Sequence, residues 1–118
     1  MTPDELKKRT RKFGVAVFKF ARTLPTDPAT LIVVRQMVSS GSSVGANYRS
    51  ACRAKSRPDF ISKMTTAEEE ADETQYWFEF LVEGEVIAKT AAAWFIEEAE
   101  QLVKIFVASI KTARGYSR

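Results

Sequence analysis

The 118-residue chain carries 18 Lys and Arg against 15 Asp and Glu, a formal charge of +3, with a single cysteine and no histidine. That length supports one core but not two independent ones, and a lone thiol excludes an intrachain disulfide. The missing imidazole removes most zinc sites, the Glu-x-x-His pattern of di-iron bundles and histidine acid–base catalysis, so a non-enzymatic protein without metal or cofactor is expected.

No apolar run approaches the roughly 20 residues of a membrane span. No stretch at the N-terminus resembles a signal peptide, and with one cysteine the expected compartment is a reducing cytoplasm. Charge is unevenly spread. Residues 1–57 hold 12 Lys and Arg against 3 Asp and Glu, a balance of +9, and residues 58–118 hold 6 against 12, a balance of −6. Such asymmetry suggests an electrostatic partner or pairing between the two halves.

Thr2-Pro3-Asp4-Glu5 is a helix start: a capping Thr, a proline at the first helical position and a Glu able to reach back to the cap. Apolar residues follow at Leu6, Phe13, Val17, Phe20 and Leu24, and the pattern stops at Pro25. A first helix is predicted over residues 3–23. Thr26 or Asp27 caps a second, entered through Pro28 and running over residues 28–55.

The middle of that second helix reads SSGSSVGANYRS at residues 39–50. Glycine and serine are weak helix formers, costing up to about 1 kcal/mol each relative to alanine. Yet Leu31, Val34, Val38, Gly41, Gly45, Tyr48 and Cys52 keep helical spacing straight through it. The stretch is therefore expected to be helical, its small side chains letting a neighbouring helix approach closely, with Cys52 a buried thiol on the apolar side.

Ser56-Arg57-Pro58-Asp59 repeats the start signal. Phe60, Met64, Ala67, Ala71, Thr74, Phe78 and Leu81 mark a third helix over residues 57–83, ended at Gly84. A fourth is predicted over residues 87–114 through Trp94, Phe95, Ala99, Leu102, Phe106, Ile110 and Ala113, stopped at Gly115, with residues 115–118 fraying. No period-two alternation is sustained. One domain over residues 1–118 is expected, an all-α antiparallel up-down four-helix bundle. Val15 and Phe18 on the first helix are apolar in addition to the seam, and on the fourth Trp94 and Ile105 are among the apolar residues that surround it. Stripes that wide suggest self-association through those two helices.

The runs SSGSSVGANYRSACRAKSRPDFISKM and EEEADETQYWFEFL resemble the bacterial four-helix-bundle family of the 23S rRNA-intervening-sequence proteins, most closely its branch with Ala-Asn-Tyr-Arg and Glu-Ala-Asp-Glu-Thr segments. The resemblance implies a small cytosolic bundle assembled as a homo-oligomeric ring, a pentamer among relatives. It also connects the chain to accessory proteins of diversity-generating retroelements, basic pentameric barrels that engage a reverse transcriptase and nucleic acid. Members commonly carry a glutamate shortly after the Asn, where this chain has Ser50. That departure weakens the transfer of a buried ion pair.

Three groups of residues could carry function. Lys7, Lys8, Arg9, Arg11 and Lys12 put five cations in six positions, a surface that attracts phosphate backbones without sequence selectivity. In an up-down bundle Arg53, Lys55 and Arg57 return to the same end. The candidate partner is RNA or another nucleic acid; the alternative is a structural or protein-interaction scaffold in which the charges serve assembly. Second, Gly41, Gly45 and Asn47 belong to the packing of the second helix, and Arg49 or Arg53 is a candidate ion-pair partner for Glu69 or Glu73. Third, the run from Glu68 to Glu73 is read as a solvated or paired acidic face rather than a metal site. Trp77, Trp94, Tyr76, Phe78 and Phe80 are read as core or interface before a platform for bases.

Overall fold

The computed structural model describes residues 1–115, a bundle of 45 × 25 × 21 Å. Residues 116–118, part of the expected frayed end, lie outside the described residues. Four helices make up the fold: α1 (Pro3–Ala21), α2 (Pro28–Cys52), α3 (Arg57–Glu83) and α4 (Lys89–Ala113), with no strand among the described residues.

Three helix starts follow from their caps. Thr2 Oγ1 accepts from the Glu5 amide while the Glu5 carboxylate accepts from the Thr2 amide, a complete capping box. Asp27 accepts from the Thr30 amide, and Ser56 from the Asp59 amide. α4 starts without such a side chain, from Ala88, two residues later than predicted. α2 ends at Cys52, earlier than predicted, because Arg53 has already left helical geometry (φ −107°, ψ 15°). At the end of α3 Gly84 keeps a negative φ, and the left-handed residue is Glu85 at φ 62°. The turn closes there through the Val86 amide on the Leu81 carbonyl at 2.9 Å.

The core is a single cluster drawn from all four helices, centred on Phe13, Val17, Met37, Val44, Met64, Phe78, Leu81, Leu102 and Phe106. α3 buries Met64, Ala67, Ala71, Thr74, Phe78 and Leu81, the spacing read from its sequence. α2 departs from the expected seam. Its buried face is Val34, Met37, Ser40, Gly41, Val44, Tyr48 and Ala51, rotated from the stripe through Val38, Gly45 and Cys52. One residue turns a helix by 100°, so with Ala51 in the core the Cys52 thiol faces outward; it is free and exposed. Burial pushes the neighbouring Tyr48 phenol far above its ordinary range, with Cys52 and Asp4 adding to the rise.

Gly14 and Gly45 explain how α1 and α2 approach. A Cβ on Gly14 would lie 3.1 Å from the Gly41 carbonyl oxygen, and one on Gly45 3.3 Å from the Arg11 amide nitrogen. Position 14 thus meets 41 and 42 while position 45 meets 10 and 11, so numbers rise on one helix as they fall on the other. α2 and α3 are joined in the core by Thr74 Oγ1 donating to Ser40 Oγ at 2.9 Å. α1 and α4 make the sparsest approach, bridged by long side chains: Arg9 to Glu98, Phe13 to Trp94 and Phe20 to Phe95.

The hydroxyl pair gives a measurable contribution. Thr74→Val is expected to cost about 1 kcal/mol, the net value of one hydrogen bond, while Thr74→Val with Ser40→Ala costs less than the sum of the singles. Urea denaturation of the four variants in the cycle measures this.

Candidate nucleic-acid interface

The close α1–α2 crossing sets the first half of α1 against the second half of α2. Along their outer side runs an open groove of about 530 Å³. One end is cationic, lined by Lys7 and Arg11 from α1 and by Arg49 and Arg53 from the end of α2. Its middle is made of small residues, Thr10, Gly14, Ser42, Gly45 and Ala46, and Val15, Phe18 and Val38 line its apolar part. Among the described residues no carboxylate lines it. The Lys7 ammonium has a distant neighbour in Asp4 at 3.9 Å, whereas Arg11, Arg49 and Arg53 have no ion pair among the described residues. Cations gathered around a concave surface with little counter-charge create a positive potential that draws anions.

The fold divides the basic run read from the sequence. Arg9 belongs to the structure: its Nε and Nη2 donate to the two Glu98 carboxylate oxygens at 2.7 and 2.8 Å, and that bond holds the guanidinium charged. Lys8 and Lys12 are exposed, four apart on one side of α1, outside the groove lining. Lys55 and Arg57 lie exposed at and beside the α2–α3 connection, also outside it. Of the eight candidate cations, Lys7, Arg11 and Arg53 share the groove, joined by Arg49, which the sequence had suggested for a structural pair.

That structural pair does not form. Among the described residues no ion pair joins Arg49 or Arg53 to Glu69 or Glu73. Arg49 faces the α1 side, Glu69 is exposed, and Glu73 accepts from Trp77 Nε1 at 3.2 Å. Counting from the Ser40–Thr74 contact, Arg49 is level with Thr65 rather than Glu69, which rough turn counting misjudged. Asn47 donates to the Ser43 carbonyl within its own helix at 2.8 Å.

On the acidic face of α3, no group of three or more potential ligands gathers among the described residues. Burial raises the Glu70 carboxyl above its ordinary value, reinforced by the charges of Glu73 and Glu69 and opposed by the Ser43 hydroxyl. A raised folded-state value means that the ionised form is penalised in the native protein. Stability is then lower above the folded value and recovers as pH falls to the unfolded value near 4.5. Glu70→Gln is expected to raise stability modestly at neutral pH, with the difference vanishing below that value; thermal melts across the range measure it.

The aromatic residues separate by exposure. Phe78 is fully buried, whereas Tyr76, Trp77 and Phe80 form a cluster on α3 with ring centroids 4.9 to 6.1 Å apart, and Tyr76 and Phe80 are exposed. Val15, Phe18 and Trp94 are exposed large apolar residues, as expected for stripes wider than one seam, and Ile105 is half-buried against the core. Ile32 on α2, at 63% exposure, was not anticipated. Nor was Gly14, though a glycine inside a well-formed helix signals a close approach.

A bundle of four helices with a cationic groove between two of them defines the class of protein. The chain belongs to the 23S rRNA-intervening sequence protein family, whose model matches residues 4–108. It is similar to a protein of unknown function from the S23 ribosomal protein family of Bacteroides thetaiotaomicron VPI-5482, with 32% identity over 94% of this chain and 99% of that one, and a TM-score of 0.86. The search of curated proteins gave no match. No helix among the described residues is long and apolar enough to cross a membrane.

Proposed function

We propose that this chain is a non-enzymatic, cytoplasmic, nucleic-acid-associated bundle that binds RNA through the α1–α2 groove. The observation that carries this reading is the convergence of Lys7, Arg11, Arg49 and Arg53 on one concave surface that no carboxylate lines among the described residues. Like charges held together oppose folding unless an anion joins them, and phosphate is an anion whose geometry the arginine fork matches. The family's description and the S23 ribosomal protein family of the Bacteroides relative favour RNA as the source of those phosphates. The helices connect in up-down order, consistent with the opposed numbering of α1 and α2. The bundle works as a homo-oligomeric ring, a pentamer by family resemblance. Exposed Trp94, outside the groove lining, supplies apolar surface for assembly, and a ring would multiply the cationic groove and its avidity.

Fluorescence anisotropy of a labelled structured RNA at several salt concentrations tests the reading, with light scattering reporting the mass of the assembly. Arg11→Ala with Arg49→Ala and Arg53→Ala is expected to weaken binding at least tenfold. The salt dependence should fall by about 0.7 to 0.9 log units per lost phosphate contact. Thermal stability should hold or rise, because a repulsive cluster is removed. Unchanged affinity in this variant, or no binding by the parent protein at low salt, would leave the bundle as a protein scaffold instead.

A further inference from the structure

The groove is graded along its length. Its cations sit toward the N-terminal end of α1, and beyond the small-residue floor stands Phe18, 50% exposed, with the Arg22 guanidinium carbon 5.8 Å from its ring centroid. From Lys7 to Phe18 α1 advances about 16 Å at 1.5 Å per residue. Electrostatics alone account for the cationic end. They do not account for an aromatic face, two valines and a glycine-lined floor continuing from it.

We infer that the groove takes an unpaired, single-stranded segment of nucleic acid, its phosphates on Lys7, Arg11, Arg49 and Arg53 and an unstacked base on Phe18. This rests on the nucleic-acid reading above and narrows it. In a duplex the bases are stacked on one another and only their edges reach the grooves, so a duplex could meet the cations but could offer no base face to Phe18. A single strand presents both phosphate and free base. Base–aromatic stacking is tolerant of sequence because every base has a π-face, and an adjoining guanidinium adds to it. The floor suits this occupant too: Gly14, Ser42, Gly45 and Ala46 project nothing that would hold a backbone away from the arginines. An acidic helix would also find the cations, but a protein partner gives Phe18 no reason to distinguish single strands from duplex, which is what the experiment reads.

The experiment compares a labelled oligouridylate with an RNA duplex of equal length, using the full chain and its Phe18→Ala, Phe18→Trp and Arg11→Ala/Arg49→Ala forms. Phe18→Ala is expected to weaken single-strand binding about tenfold, the effect of one lost stack, while duplex affinity and the salt slope stay as they were. Phe18→Trp should bind the single strand at least as well as the parent. The arginine variant should lose affinity for both probes together with part of the salt slope. Phe18 is half-exposed, so its replacement should leave helix content and melting unchanged, and light scattering checks the assembly. Equal affinity for the two probes with no effect of Phe18→Ala overturns the stacking groove but leaves nucleic-acid binding standing. Equal losses in Phe18→Ala and Phe18→Trp overturn it as well. No binding of either probe by the parent protein at low salt removes both readings.

Discussion

Phe78→Ala is expected to lower the unfolding free energy by about 4 kcal/mol, within the range for removing a fully buried phenylalanine. The Phe78 ring has no exposed surface and lies nearly parallel to Phe95, at 4.4 Å and 10°. Phe20 completes the group, 5.7 Å from Phe78 and 5.1 Å from Phe95. Three rings from α1, α3 and α4 therefore meet where the bundle is most sparsely joined, and truncating the central one opens a cavity that the others cannot close without losing their own contacts. Against a total stability of about 5–15 kcal/mol, that is a large fraction. The melting temperature should fall by about 15 °C. Phe78→Leu, which keeps most of the volume, should cost less than half as much. A calorimetric or circular-dichroism melt decides, and a loss under about 1 kcal/mol would mean that the core collapses around the gap more readily than close packing allows.

Gly41→Ala should destabilise the protein although alanine favours a helix over glycine by about 1 kcal/mol. The added Cβ would stand 2.9 Å from Val17 Cγ1 and 3.1 Å from both Val17 Cβ and Cγ2. Val17 is fully buried and β-branched, so it has little rotamer freedom with which to move aside. Overpacking of this kind costs about 1–3 kcal/mol, and part of that remains after the propensity gain. The decisive variant is the double one. Val17→Ala alone leaves a cavity, and adding Gly41→Ala then fills part of it while gaining helix propensity. The pair should be more stable than Val17→Ala by about 1 kcal/mol, reversing the sign of the same substitution in the parent. Denaturant titration of the cycle tests this; equal effects of Gly41→Ala in both backgrounds would show that the helices shift apart instead.

Gly41→Ala bears on the proposed function as well. The α1–α2 approach that Gly14, Gly41 and Gly45 permit sets Lys7 and Arg11 beside Arg49 and Arg53, so widening it should weaken RNA binding even where no cation is changed.

Local chemistry by itself determined the elements of this protein. The Thr2–Glu5 box, Asp27 and Ser56 with its Pro58 begin three helices because each supplies an acceptor to amides that no intrahelical bond can satisfy. The seven-residue rhythm of α3 gave its buried face from Met64 to Leu81, with Phe60 only partly buried at its start, since one stripe there meets one core. The presence of a glycine- and serine-rich stretch inside α2 was legible too, because apolar spacing continued on both sides.

Only the tertiary structure decided which face of α2 turns inward. Two rows of small and apolar residues, one through Ser40, Val44 and Ala51 and one through Val38, Gly45 and Cys52, satisfy helical periodicity equally well. The choice follows from the glycine contacts with α1 and the hydroxyl contact with Thr74. Partners of charged residues were beyond local reading for a related reason. Arg9 and Glu98 are 89 positions apart, and long side chains pair wherever the bundle's register brings their tips together. The groove that gathers Arg11, Arg49 and Phe18 exists because two helices cross at backbone distance, a relation that no single segment of the sequence contains.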